Sequence, residues 1–143
     1  MTADTVFIVN PVSGNGRTGR HWRSYEALFR RRLGDAFAVR KTERPWHAAE
    51  LTKEAVINGA TTIVSVGGDG TLNEVTNGLL DGTGRMWNAD ARLAVLSLGT
   101  GSDFVKTLGE TREPEDLVRR LKEGSTKVID AGVCAYQEAG APR

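Results

Sequence analysis

The chain has 143 residues, the size of a single domain with one hydrophobic core. Its formal net charge is +1, which gives no support to a nucleic-acid binder, because such proteins depend on neutralising phosphates. The single cysteine, Cys134, excludes an internal disulfide and favours a reducing cytosol over secretion. No apolar run approaches the length of a membrane span, so we expect a cytoplasmic protein, at most peripheral to a membrane.

Short apolar runs alternate with longer amphipathic stretches along the chain. We predict strands at residues 6–9, 37–39, 63–66, 93–96 and 127–129. The alternation is typical of repeated βαβ units, and strands of nearly continuous Val, Ile and Leu favour a parallel sheet covered on both faces. The predicted fold class is therefore α/β: a Rossmann-like three-layer αβα domain with a mostly parallel sheet.

The first predicted helix has two contrasting faces. Four apolar residues at helical spacing predict the side that packs on the sheet: Trp22, Tyr25, Phe29 and Leu33. Six arginines share the same stretch: Arg17, Arg20, Arg23, Arg30, Arg31 and Arg32. We interpret this basic side as a solvated helix face, with contact to anionic phosphates or an anionic membrane surface as the alternative.

Three further helices are predicted. One covers residues 46–58 and ends at Gly59, and another covers residues 71–80. The last begins at Pro114, followed by two acids in its first turn, where they complement the helix dipole. Residues 81–90 are polar and Gly-rich and predict a surface loop.

Three loops leave the carboxyl ends of predicted strands, where an open parallel sheet binds its ligands. They comprise residues 10–19, 67–71 and 99–103, and each is rich in glycine and leads into a helix. Glycine lets the backbone approach a ligand closely, and amides at a helix N-terminus attract phosphate. Any one loop could serve only its turn, but three at the same end of the sheet predict a phosphate-binding site.

Asp69 lies among the glycines of the second loop. An acid beside phosphate would be repelled unless a cation or a proton donor lay between them, so Asp69 indicates Mg²⁺ or proton transfer. A turn-stabilising role is the alternative. Thr71, at the start of the next helix, is expected to cap that helix or to donate its hydroxyl to a phosphate oxygen.

A rival interpretation comes from the first loop, where residues 14–19 match the dinucleotide-binding pattern G-x-G-x-x-G. Glu43 lies near the spacing of the acid that binds a ribose in such proteins. A NAD-dependent oxidoreductase would, however, leave the glycine loops of Asp69 and Asp103 without a purpose. The pattern of an ordinary P-loop NTPase is absent.

Three segments in order resemble the signature segments of the diacylglycerol kinase catalytic domain family: residues 10–14 (Asn-Pro-Val-Ser-Gly), 67–74 (Gly-Gly-Asp-Gly-Thr-Leu-Asn-Glu) and 99–104 (Gly-Thr-Gly-Ser-Asp-Phe). The family includes sphingosine and ceramide kinases. Gly-Gly-Asp-Gly alone is shared with NAD kinases and phosphofructokinases, but the residues that follow it favour the lipid kinases. The sequence departs from the family pattern at Ser97, usually Pro, and at Ser102, usually Asn.

The resemblance implies ATP as phosphoryl donor, Mg²⁺, and a diacylglycerol-like or sphingoid hydroxyl as acceptor. Asp69 would be the candidate for both the catalytic residue and the metal ligand. Whether it binds the metal or acts as a base stays open. The nucleotide-binding residues implied are Asn10, Pro11, Ser13, Gly14, Thr42, Gly67, Gly68, Asp69, Gly70, Thr71, Leu72, Asn73, Glu74, Gly99, Thr100, Gly101 and Asp103. Arg17 and Arg20 flank the first loop and are further candidates to reach the phosphates.

The family resemblance also implies a second, β-rich domain. We therefore predict a nucleotide-binding domain over residues 1–133, and at 134–143 a tail or the start of that second domain. The chain alone is expected to phosphorylate lipid weakly or not at all. Expected partners are ATP and, transiently, a lipid substrate at a membrane surface, without nucleic acid; a homo-oligomer is left open. Alternatives are a NAD kinase-like enzyme, a non-catalytic nucleotide-binding module and the oxidoreductase.

Overall fold

The computed structural model describes residues 4–109, 112–138 and 141–142. Residues 1–3, 110–111, 139–140 and 143, which fall within the predicted domain and its predicted tail, lie outside the described residues. The elements in chain order are β1 (Thr5–Val9), α1 (Arg17–Leu33), β2 (Phe37–Lys41), α2 (His47–Ile57), β3 (Thr62–Gly67), α3 (Asp69–Leu79), β4 (Arg92–Ser97), α4 (Asp103–Thr107), α5 (Pro114–Glu123), β5 (Gln137–Glu138) and β6 (Ala141–Pro142).

The first four strands form one fully parallel sheet in the order β2-β1-β3-β4. Thr5 of β1 lies opposite Phe37 of β2 on one side and opposite Thr62 of β3 on the other. The chain therefore moves outward from β1 to β2 and then returns to the other side of β1. This reversal of strand order creates a crevice between β1 and β3 at their carboxyl ends, which is the usual ligand position in such a sheet.

Alternate side chains of the strands fill two separate cores, because successive residues of a strand point to opposite faces. On one face, Phe7 and Val9 of β1 and Val64 of β3 pack with α1 and α5. On the other face, Ile8 of β1 and Ile63 of β3 pack with α2 and α3. Helices thus cover both faces of the sheet, which confirms the predicted three-layer α/β fold.

The apolar stripe of α1 packs on the sheet as its spacing predicts. Trp22 and Phe29 are buried, and Tyr25 and Leu33 pack at the margin of the same core. The ring of Phe7 lies at the centre of this cluster. Its centroid is 5.9 Å from that of Trp22, 5.0 Å from that of Phe29 and 4.9 Å from that of Phe37.

One predicted strand is wrong. Residues 124–136 follow α5 without regular structure, so 127–129 is not a strand, and Val128 is 94% exposed. A short apolar run becomes a strand only where a neighbour accepts its backbone hydrogen bonds, and among the described strands the parallel sheet ends at β4. The described part of the tail instead holds β5 and β6, which pair antiparallel.

The second and third helices have boundaries close to the predicted ones, with one difference that affects function. The helix α3 begins at Asp69 rather than Thr71. Asp69 therefore occupies the first turn of a helix instead of a free loop. No helix in the described part of the chain combines the length and the apolar character that crossing a bilayer requires.

The central position of Phe7 generates a first prediction. Replacing Phe7 by Ala should lower the free energy of unfolding by about 3–5 kcal/mol, because it leaves a cavity lined by three aromatic rings. Urea unfolding followed by circular dichroism measures the change. Ile57→Ala, at an exposed position, is the control and should shift the free energy by less than about 0.5 kcal/mol. Equal effects of the two substitutions would refute the assignment of this core.

Candidate functional site

Asn10 joins the loop after β1 to the start of α3. Its backbone amide donates to the carbonyl oxygen of Val66 at 2.9 Å, which extends the pairing of β1 with β3 by one residue. Its side-chain Nδ2 donates to Thr71 Oγ1 at 3.0 Å. The first and second predicted loops are therefore linked by a direct side-chain hydrogen bond at the crevice between β1 and β3.

The N-terminus of α1 is closed by its own loop. The first amides of the helix donate to loop carbonyls: Arg17 to Gly14 at 3.1 Å, Thr18 to Ser13 at 3.3 Å and Gly19 to Pro11 at 2.9 Å. In a dinucleotide-binding fold these amides would face the pyrophosphate. The first amides of α1 are therefore already bonded within the loop, and the oxidoreductase interpretation, which needs them for a pyrophosphate, loses its main support.

The N-terminus of α3 is open by comparison. Its N-cap is Gly68, which has no side chain to satisfy the first amides of the helix, and no side-chain cap is present. Leu72 N is the first amide bonded within the helix, to Gly68 O at 3.1 Å. The amides of the first turn therefore face outward at the positive end of the helix dipole, which makes this end of α3 suited to an anion.

Glycines in these loops allow backbones to touch. A Cβ on Gly99 would lie 2.6 Å from Gly68 Cα, so the loop after β4 rests directly on the start of α3. A Cβ on Gly67 would lie 2.4 Å from Thr71 Oγ1, because the buried Thr71 folds back over the end of β3. Gly14 has φ +59°, and a Cβ there would meet the carbonyl oxygen of Leu98 at 2.8 Å. All three predicted loops are therefore in contact.

Two exposed carboxylates flank the loop after β4. Asp69 Oδ2 accepts the backbone amide of Asp103 at 3.2 Å, which ties the N-termini of α3 and α4 together. A Cβ on Gly101 would lie 3.1 Å from Asp69 Oδ2 and 3.9 Å from Asp103 Oδ2, so both acids border that glycine. Lys106 Nζ lies 3.5 Å from Asp103 Oδ1 and offsets part of this negative charge.

The two departures from the family pattern bond to each other. Ser97 Oγ donates to Ser102 Oγ at 2.6 Å, and Ser102 Oγ donates in turn to Gly99 O at 3.2 Å. Both serines are buried, and Ser102 has φ +59°. Arg112 adds hydrogen bonds to the carbonyls of Ser97, at 3.2 Å, and of Gly99. This support for the loop was not predicted from the sequence, although the joint departure at Ser97 and Ser102 was a signal.

Not every predicted nucleotide-binding residue faces the crevice with its side chain. Leu72 is buried against Val95 and Val105. Glu74 Oε2 accepts the amide of Ala48 at 3.2 Å and so holds the start of α2. The roles of these two residues at a nucleotide stay predictions. Their side chains contact the core and the start of α2 rather than the crevice.

The loop between β2 and α2 lies at the same end of the sheet. Thr42 N donates to Val9 O at 2.9 Å, which places Thr42 directly beside the end of β1. Arg44 donates to Glu50 at 2.8 Å, and this hydrogen bond holds the pKa of Glu50 below its ordinary value. His47 Nδ1 accepts the amide of Glu43 at 3.1 Å, so this histidine closes the turn.

The contact between Gly99 and Gly68 generates a second prediction. Gly99→Ala should lower the free energy of unfolding by about 1–3 kcal/mol, because the new methyl group forces two backbones apart. Gly70→Ala is the matched control, since a Cβ at Gly70 meets nothing within 4 Å. It should leave stability unchanged or raise it by up to about 1 kcal/mol. A Gly99→Ala variant as stable as the wild type would show that the two loops do not touch.

The link between Asn10 and Thr71 generates a third prediction. A double-mutant cycle of Asn10→Ala with Thr71→Val should give a coupling energy of about 0.5–1.5 kcal/mol, the net value of a hydrogen bond. Thr76→Val removes a hydroxyl that donates to Leu72 O within α3, and it serves as the control partner. The control cycle should be additive within about 0.5 kcal/mol. Equal coupling in both cycles would contradict the assigned contact.

Comparisons with known proteins agree with this geometry. A model of the diacylglycerol kinase catalytic domain matches residues 4–134. A protein of Pseudomonas aeruginosa named "Probable lipid kinase YegS-like" is 38% identical over 102 residues, which cover 71% of this chain and 32% of the relative. A diacylglycerol kinase of Bacillus subtilis is 34% identical over 128 residues, covering 87% of this chain and 40% of that protein.

Solved structures show the same likeness. The crystal structure of a diacylglycerol kinase from Bacillus anthracis superposes with a TM-score of 0.67 at 25% identity, over 86% of this chain and 40% of the other. The chain thus spans between 32% and 40% of the length of these proteins. The family match covers nearly all of the chain, including the three segments that carried the resemblance. The chain therefore belongs to the diacylglycerol kinase catalytic domain family.

Proposed function

We propose that this chain binds ATP with Mg²⁺ at the carboxyl end of its parallel sheet. It would be the nucleotide-binding part of a kinase that transfers the γ-phosphate of ATP to a lipid hydroxyl. The proposal rests on the open N-terminus of α3. The first and third loops border this end of the helix, and its first turn bears the exposed Asp69. An anion at this position would be held by backbone amides that are already oriented.

The phosphates of ATP would lie over Gly68 and Gly70, where no side chain blocks the approach. Asn10 would orient the hydroxyl of Thr71, because its amide occupies one acceptor position of Thr71 Oγ1 and leaves the hydroxyl hydrogen free to donate. Thr42 and Thr100, on the adjacent loops, would border the rest of the nucleotide. The loops would therefore position the triphosphate mainly through backbone groups.

The acidic residues present suit Mg²⁺. A metal cage made only of protein groups would need at least three such side chains at one point. In the described part of the chain, no three His, Cys, Asp or Glu side chains converge in this way. Mg²⁺ usually keeps several waters and binds one or two carboxylates together with the phosphates of its nucleotide. Asp69 would hold the ion, with Asp103 beside it. When bound, the ion would neutralise the charge of the phosphoryl group during transfer.

The lipid acceptor follows from the relatives, which are named as lipid kinases and diacylglycerol kinases. Their chains are more than twice as long as this one, so we propose that residues beyond this chain contribute to the acceptor site. We also propose that the protein is cytoplasmic, acts in phospholipid metabolism and meets its substrate at a membrane surface. The 143-residue chain alone is expected to transfer phosphate to lipid weakly or not at all.

The proposal generates a fourth prediction. Calorimetric titration of the chain with ATP and Mg²⁺ should show saturable binding that Asp69→Ala weakens by about tenfold or more, because one metal-binding carboxylate is lost. Asp130→Ala is the matched control: it removes the same charge from an exposed position in the segment after α5 and should leave binding unchanged.

NAD is titrated in parallel to separate the alternatives. Binding of NAD without binding of ATP would refute the proposal and restore the oxidoreductase interpretation. ATP binding that Asp69→Ala and Asp130→Ala affect equally would refute the role of Asp69 while leaving the nucleotide site in place.

A further inference from the structure

Four arginines on the outer side of α1 form a surface that we call the α1 arginine face: Arg17, Arg20, Arg23 and Arg31. All four are exposed, and at 3.6 residues per turn they lie away from the buried Trp22 and Phe29. Within the described residues none of the four forms an ion pair. The other two arginines of the helix do: Arg30 pairs with Glu26 and Asp35, and Arg32 pairs with Glu115.

The charge of the chain is strongly concentrated on this helix. The helix contains six arginines and a single acid, Glu26, for a net charge of +5. The whole chain has a net charge of +1, so all other residues together carry −4. The basic surface of α1 therefore does not follow from a high net charge of the whole chain. A local excess of one sign on one helix is the pattern expected of a surface that meets a partner of opposite charge.

The α1 arginine face begins beside the candidate site. Arg20 Nη1 donates to the carbonyl oxygen of Asn15, in the loop that follows β1. The same loop exposes the aliphatic side chain of Val12, 74% of which is open to solvent, and it contacts α3 through Asn10 and Thr71. The α1 arginine face therefore adjoins the loop that borders the candidate site.

We propose that the α1 arginine face docks the protein on membranes that contain anionic phospholipids. This inference rests on the proposed function, because a lipid acceptor lies in a bilayer and the protein must reach that surface. Guanidinium groups suit the partner chemically, since each presents paired N–H donors that match phosphate oxygens. Basic residues near an anionic leaflet each strengthen membrane binding by about fivefold. The exposed aliphatic side chain of Val12 suits the apolar layer beneath the headgroups.

Flotation with vesicles tests the inference on the 143-residue chain. We expect the wild type to bind vesicles of phosphatidylcholine mixed with phosphatidylglycerol and not vesicles of phosphatidylcholine alone, and to be released by added salt. The double substitution R23Q/R31Q should weaken binding to the anionic vesicles by about 25-fold, which is about fivefold for each arginine. Arg17 and Arg20 are left in place because they flank the nucleotide loop.

The matched control is R40Q/R44Q, which changes the net charge equally. Its arginines are ion-paired with residues of α2, across the sheet from α1: Arg40 with Glu54 and Arg44 with Glu50. Binding should change by less than about twofold in this control, because neither arginine lies on the α1 arginine face. An equal loss in both double variants would overturn the inference, since it would show a response to net charge alone.

Titration with ATP and Mg²⁺ keeps this inference separate from the proposed function. We expect R23Q/R31Q to bind ATP as the wild type does. A wild-type protein that binds ATP but no anionic vesicle would overturn the docking surface and leave the proposed function intact. Binding to a single-stranded DNA oligonucleotide, lost in R23Q/R31Q while vesicles stay unbound, would also overturn it in favour of a nucleic-acid partner.

Discussion

The structure depends above all on the parallel pairing of β3 with β1 on one side and β4 on the other. In this register Val9 lies opposite Val66, and Gly67 lies opposite Ser97, so the three strands end level with one another. Parallel strands that end level deliver their loops to the same place. The glycine segments after β1, β3 and β4 are therefore neighbours in space although they are far apart along the chain.

Once the loops are together, their contacts require small residues. Gly68 and Gly99 approach so closely that Gly99 could not carry a side chain without moving the backbone at Gly68. The loop after β4 is then held by a hydrogen bond between the buried hydroxyls of Ser97 and Ser102. These are the two positions at which the sequence departs from the family pattern.

The helices that follow β1 and β3 have opposite roles at this end of the sheet. The first amides of α1 are consumed by the carbonyls of their own loop, whereas those of α3 remain available. Any electrostatic contribution of α1 therefore comes from its outer arginines rather than its N-terminus. In the proposed function, α3 would bind phosphate, and the surface charge of α1 lies on the opposite face of the sheet.

The sequence by itself determined the fold class, four of the strands, the helices and the family. Buried parallel strands are continuous apolar runs, glycine loops mark their ends, and the stripe of Trp22 and Phe29 needs only helical periodicity to be recognised. Asp69 was identifiable as a candidate site residue, because an acid is unusual in a glycine loop that is expected to face phosphate. These features are local, so they can be identified without knowing where the rest of the chain lies.

Only the tertiary structure decided which groups are free to act. Asn10 and Thr71 are 61 residues apart, and nothing in their local sequence predicts their hydrogen bond. The failure of residues 127–129 to form a strand is of the same kind, because no described strand pairs with them. The closure of the α1 N-terminus and the bond between Ser97 and Ser102 each join residues that are close along the chain, and they depend on the backbone path of a loop. In every case the hydrogen-bonding partner is settled by packing rather than by residue type.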